Sequence, residues 1–95
     1  VDENSNETPR FLLYQNYPNP FNSSTIINFS VAKKGNVKLT IFNAVGQKIS
    51  TLVDEEKNPG KYAVLFDATN FSSGTYFYKL ESGSYSKVHK MLLLK

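Results

Sequence analysis

Apolar side chains in this chain recur at every second residue in short runs, and that period of two constrains the fold more than any other feature. Ile27, Phe29 and Val31 alternate with Asn28 and Ser30, and Val37, Leu39 and Ile41 alternate with Lys38 and Thr40. Successive side chains of an extended strand point to opposite faces, so each run predicts a strand with one buried face. The pattern returns at Tyr62, Val64 and Phe66 and again at Tyr76, Tyr78 and Leu80, and these four runs form the expected core. Turn chemistry separates the runs: Lys33-Lys34-Gly35-Asn36, Asn43-Ala44-Val45-Gly46, the polar stretch Asp54-Glu55-Glu56-Lys57-Asn58-Pro59-Gly60, and Ser82-Gly83-Ser84. Residues 48–53 read as a further strand, and Phe11-Leu12-Leu13-Tyr14 as a short edge strand. The closing run, residues 85–94, carries apolar side chains on both faces, which predicts an internal strand. Short strands at spacings of roughly 8 to 12 residues, with no helical period between them, describe an all-β fold, an immunoglobulin-like antiparallel β-sandwich of about seven strands.

A length of 95 residues is one domain's worth of chain, and the 7 Phe and 6 Tyr supply much of its burial. Cysteine is absent, so neither a disulfide nor a thiolate metal site can hold the fold. The opening VDENSNETPR is polar and acidic, without the basic and then hydrophobic order of a signal peptide. Together with the missing initiator Met, this leads to the expectation that residues 1–10 are a linker from an upstream passenger and residues 11–95 the sandwich domain. The net charge of +3 is uneven: residues 11–95 hold ten Lys against five acids, or +5. Arg10 is the sole arginine, whereas nucleic-acid sites lean on arginine forks, so the lysines read as a solvated surface and no nucleic-acid partner is expected.

Catalytic chemistry finds little to work with. His89 is the only histidine and has no acid or thiol near it in sequence, so the chain reads as no enzyme, with no catalytic residue, no metal ligand set and no cofactor. The acids at Asp54, Glu55 and Glu56 read as a solvated turn, and Asp67 as an Asx-turn cap at the head of DATNFSSG. Four Asn-x-Ser/Thr matches, at Asn6, Asn22, Asn28 and Asn70, are what an Asn- and Ser-rich composition produces by itself. Tyr17, Phe21, Phe71, Phe77 and Tyr85 are expected to be exposed aromatics, and their ring faces are the one bottom-up route to a ligand, a weak glycan contact. For Tyr17 and Phe21 the plainer expectation is that both pack across an open edge of the sandwich.

The order of motifs goes further than composition. Leu13-Tyr14-Gln15-Asn16-Tyr17-Pro18-Asn19-Pro20-Phe21-Asn22, followed by Thr25-Ile26-Ile27-Asn28-Phe29, resembles the opening of type IX secretion system type A C-terminal sorting domains. The similarity continues through VKLTIFNAVG at residues 37–46, Gly60-Lys61-Tyr62, Asp67, Gly74-Thr75-Tyr76-Phe77-Tyr78-Lys79-Leu80 and the closing Lys90-Met91-Leu92-Leu93-Leu94-Lys95. The matching motif positions are Tyr17, Pro18, Asn19, Pro20, Phe21, Gly60, Tyr62, Asp67, Gly74 and Tyr76. Ser23 stands where relatives often carry another proline, a departure expected to matter little.

This resemblance implies a non-catalytic sorting domain of a bacterial protein from the Bacteroidetes or a related phylum, secreted or held at the cell surface after passing through the periplasm. It also implies two partners, the outer-membrane type IX export apparatus and a sortase-like peptidase that cuts in or before the linker. The expected recognition element is the last strand, Lys90, Met91, Leu92, Leu93, Leu94 and Lys95, read by edge pairing. Two alternatives stay open at this point. One is a carbohydrate-binding or adhesive immunoglobulin-like module appended to a secreted enzyme. The other is the immunoglobulin-like domain of flagellar hook-capping proteins, which residues 19–52 also resemble.

Overall fold

The alternating runs fold into seven strands, which the computed structural model describes over residues 8–95: β1 (Leu12–Leu13), β2 (Ser24–Val31), β3 (Gly35–Asn43), β4 (Lys48–Lys57), β5 (Gly60–Asp67), β6 (Gly74–Ser82) and β7 (Tyr85–Leu93). All strand pairs are antiparallel, in a three-stranded sheet of order β1-β2-β5 and a four-stranded sheet of order β4-β3-β6-β7. The chain therefore forms the expected all-β immunoglobulin-like sandwich. Of the predicted core residues, Ile27, Phe29, Val31, Val37, Leu39, Ile41, Tyr78 and Leu80 are wholly enclosed, and Phe66 and Tyr76 are nearly so. Tyr62 and Val64 are only half-buried, because β5 is an edge strand whose inward side chains meet the core from one side.

Three expectations are corrected. The run Asp54-Glu55-Glu56-Lys57 is strand rather than turn, since β4 continues opposite β3 through the pairs Lys38–Asp54, Val37–Glu55, Asn36–Glu56 and Gly35–Lys57. An edge strand tolerates charge, and a carboxylate of Glu55, opposite the inward Val37, pairs with Lys57 at 2.7 Å. The strand β7 is an edge and not internal: Met91 and Leu93 enter the core, while Leu92 and Leu94 are 36% and 52% exposed. Its open hydrogen-bonding side is met by a segment other than a strand of the sheet, which leaves the Leu92 and Leu94 side chains exposed. Ser23, finally, has φ of 70°, a left-handed conformation closed to a proline ring, so its departure from the family pattern does bear on the backbone at the entry to β2.

The Asx-turn expectation at Asp67 holds, with its Oδ1 accepting from the Thr69 amide at 3.0 Å and from the Thr69 hydroxyl. Those donors hold the Asp67 carboxyl below the usual aspartate range. Of the stretch expected to be a linker, residues 1–7 lie outside the described residues; Thr8, Pro9 and Arg10 are exposed, and the Arg10 carbonyl accepts from Ser30 Oγ at 2.8 Å.

Candidate functional site

The outside partner of β7 is the stretch that sequence reasoning treated as a separate motif. Residues 11–21 run beside β7 as a strap, and the contacts follow one another in the same direction along both. The Phe11 ring stacks on Tyr85, with centroids 5.1 Å apart. The Leu13 carbonyl lies 2.7 Å from His89 Nε2, and since a carbonyl only accepts, that nitrogen is the donor. Gln15 Nε2 donates to the Lys90 carbonyl at 2.7 Å, and Asn19 Oδ1 accepts from the Leu92 amide at 3.0 Å. Phe21 then pairs as a strand residue would: its amide donates to the Leu92 carbonyl at 3.0 Å and its carbonyl accepts from the Leu94 amide at 2.9 Å, a parallel bridge to Leu93.

This arrangement answers a physical need. In an antiparallel pair, alternate residues turn their backbone groups away from the neighbouring strand. On β7 the groups of Lys90, Leu92 and Leu94 turn away from β6, and an open row of that kind invites pairing with another chain. Two prolines suit the strap because Pro18 and Pro20 supply no amide that would need a partner. Both bonds preceding these prolines, Tyr17-Pro18 and Asn19-Pro20, are cis.

A buried polar cluster fixes the strap from beneath. Asn16 is 2% exposed; its side-chain nitrogen donates to the Pro18 carbonyl at 3.1 Å and to Thr25 Oγ1 at 3.0 Å, and the Thr25 hydroxyl donates to the same carbonyl at 2.8 Å. The Tyr78 hydroxyl accepts from the Asn16 amide at 2.8 Å and donates to the Tyr14 carbonyl at 2.7 Å. Sequence reasoning gave Asn16, Thr25 and Gln15 no role, and it read Tyr78 as core alone. The available signal was Tyr78 itself, because a tyrosine enclosed in a core requires a partner for its hydroxyl.

The expected aromatic set divides. Phe21 is 2% exposed and packs edge-on against Phe66 at 6.1 Å, so it is the plug that was anticipated, whereas Tyr17 is 78% exposed and plugs nothing. Phe71 and Tyr85 lean on the core, with Phe71 beside Phe66 and Tyr76, which removes them from the exposed group; Phe77 is half-buried on the outer face. Tyr62 stacks on Phe29 at 5.5 Å with the Lys57 ammonium 4.8 Å from its ring centre.

Among the remaining motif positions, Gly60 and Gly74 open β5 and β6 with φ of 151° and 153°, values that side-chain-bearing residues rarely adopt. A Cβ at Gly74 would meet no atom within 4 Å, so the cost of Gly74→Ala is conformational alone, about 1 to 2 kcal/mol. Urea denaturation checks this value, and an unchanged midpoint would refute the backbone explanation.

Of the six residues expected to be recognised, Met91 and Leu93 serve the core, while Lys90, Leu92, Leu94 and Lys95 present their side chains outward. Lys95 is tied down, its amide to Ser73 Oγ at 2.9 Å and its ammonium to the Thr69 carbonyl. The structure thus brings the proline motif and the terminal motif, some seventy residues apart, into one continuous edge.

The family model described as a secretion system C-terminal sorting domain matches residues 15–94. Among solved structures, the fold is similar to part of PorZ, described as an essential bacterial surface component of the type IX secretion system of Porphyromonas gingivalis. The TM-score is 0.57 and the identity 17%, over 87% of this chain and 11% of that one. The chain therefore spans about a tenth of the length of PorZ, and the likeness is one of fold. No curated protein matches.

Proposed function

Since the chain belongs to the secretion system C-terminal sorting domain family, we propose that the strapped edge of β7 is the element read by the outer-membrane type IX export apparatus. The domain is a sorting signal for type IX secretion, of a family that is generally non-catalytic, and the protein carrying it is secreted or held at the cell surface. One observation supports the choice of element: two motif blocks far apart in sequence meet residue by residue along β7.

The same observation revises how the edge is read. Backbone pairing at Lys90, Leu92 and Leu94 would have to displace the strap, whose bonds already occupy those groups. Recognition therefore rests on the side chains left outside, Lys90, Leu92 and Leu94. In this reading the domain is the substrate of the machinery rather than an enzyme. The passenger precedes residue 1, the route passes through the periplasm, and a sortase-like peptidase cuts in or before residues 1–10. A weak glycan contact has one open ring of the original set to rest on, Tyr17.

The test is a fusion of residues 1–95 behind a signal peptide and a fluorescent reporter, in a bacterium with a working type IX apparatus and in an apparatus-deficient strain. The reporter is expected outside only in the competent strain. The variant Leu92→Asp/Leu94→Asp, altered at exposed positions, is expected to stay in the periplasm while keeping a native circular dichroism spectrum. Normal export of that folded variant would overturn side-chain reading of the edge.

A further inference from the structure

The outer face of the four-stranded sheet carries a feature wider than the proposed sorting edge, with which it shares Lys90 and Leu92. Cross-strand register aligns Lys48 with Phe42, Phe42 with Phe77, and Phe77 with Lys90, so one rung across all four strands reads Lys-Phe-Phe-Lys. Strands are spaced about 4.8 Å apart, which puts the two lysine positions roughly 14 Å from each other with both rings between them. Phe42 and Phe77 are half-buried but are not among the rings packed against the core; they belong to the outward face, with Val88 at 49% and Leu92 at 36% exposure along the same side of β7.

Charge on this face is segregated. The adjacent rung, Thr51-Thr40-Lys79-Val88, adds a third lysine, whose ammonium lies 3.5 Å from a Glu81 carboxylate oxygen. The acids Asp54, Glu56 and Glu81 all lie toward the opposite end, opposite or beside Lys38 and Asn36. Thr40 Oγ1, also on the outward side of β3, is the one buried side-chain polar atom among the described residues that has no hydrogen-bond partner. The aromatic end of the face is therefore apolar at its centre and flanked by Lys48 and Lys90, which have no counterion among the described residues.

We infer that this end of the sheet docks onto an anionic lipid surface, with Phe42 and Phe77 at the level of the headgroups and Lys48 and Lys90 against lipid phosphates. Charge complementarity selects this occupant. An apolar partner would gain nothing from two uncompensated lysines flanking the rings, while a phosphate-bearing interface satisfies them and receives the rings at the depth where aromatic side chains settle.

Flotation of the 95-residue chain with vesicles tests this, using equimolar phosphatidylglycerol and phosphatidylcholine beside phosphatidylcholine alone. The chain is expected to float with the anionic vesicles only, and to be released as salt is raised. Lys48→Glu, an exposed change of two charges remote from β7, is expected to lower the partition about thirty-fold. Lys34→Glu, the same charge change in the turn at the far end of β3, is expected to lower it no more than about three-fold, because its distance from the rung exceeds a Debye length. Equal losses in the two variants, equal binding to neutral vesicles, or no binding to anionic ones would each overturn the inference.

Discussion

Replacing Phe21 by alanine is expected to lower the unfolding free energy by about 3 to 5 kcal/mol, while replacing Tyr17, four residues earlier in the same motif, changes it by less than about 0.5 kcal/mol. The difference follows from position alone. Phe21 is 2% exposed, meets Phe66 edge-on, and anchors the only stretch of strap that pairs with β7 through its own backbone. Truncation leaves a cavity under the end of β7 and loosens the bonds that hold Leu92 and Leu94. Tyr17 is 78% exposed and forms its backbone bridge to Ile26 whatever its side chain is. Urea unfolding followed by circular dichroism measures both, and amide exchange at Leu94 is expected to accelerate in Phe21→Ala alone. A loss below about 1 kcal/mol for Phe21→Ala would mean that the ring is not the anchor of the strap.

How far the sequence revealed this can be followed residue by residue. The period of two located β2, β3, β5 and β6 and their inward faces correctly because those strands are half-buried, and half-burial writes itself into alternation. It misjudged β7 because apolar side chains on both faces read as burial on both, whereas Val88, Leu92 and Leu94 stand exposed on the outer face. It misjudged β4 because charged residues on an edge strand look like a turn when Pro59-Gly60 follows. Of the site, the motif blocks were legible through family resemblance, but their meeting was not. Nothing in Asn19 or Gln15 indicates that its side chain will meet the backbone of Leu92 or Lys90 more than seventy residues away. Long-range pairing is a property of topology, and local pattern carries no information about it.

The polar cluster beneath the strap yields the second large effect, one that depends on pH. Tyr78 is fully enclosed, and burial pushes its pKa up to about 12, against a smaller opposing influence from the Asn16 amide that its oxygen accepts. The folded state therefore disfavours tyrosinate at this position, whereas the unfolded chain ionises near the ordinary value of about 10. This contribution to stability is complete below about pH 10 and declines as pH rises from there toward about 12. Tyr85, raised in the same direction by burial, adds to the decline. Tyr78→Phe separates the two. At neutral pH it leaves the Asn16 amide without its acceptor and the Tyr14 carbonyl without its donor, a cost of about 2 to 4 kcal/mol for two groups. Above pH 10 the variant is expected to lose stability less steeply than the parent, with the remaining slope due to Tyr85, so the gap between the two proteins narrows as pH rises. Urea midpoints measured between pH 7 and pH 12 decide the matter. A gap that stays constant across that range would mean that Tyr78 ionises in the folded state as readily as in the unfolded one, and that its hydroxyl does not sit sealed between Tyr14 and Asn16.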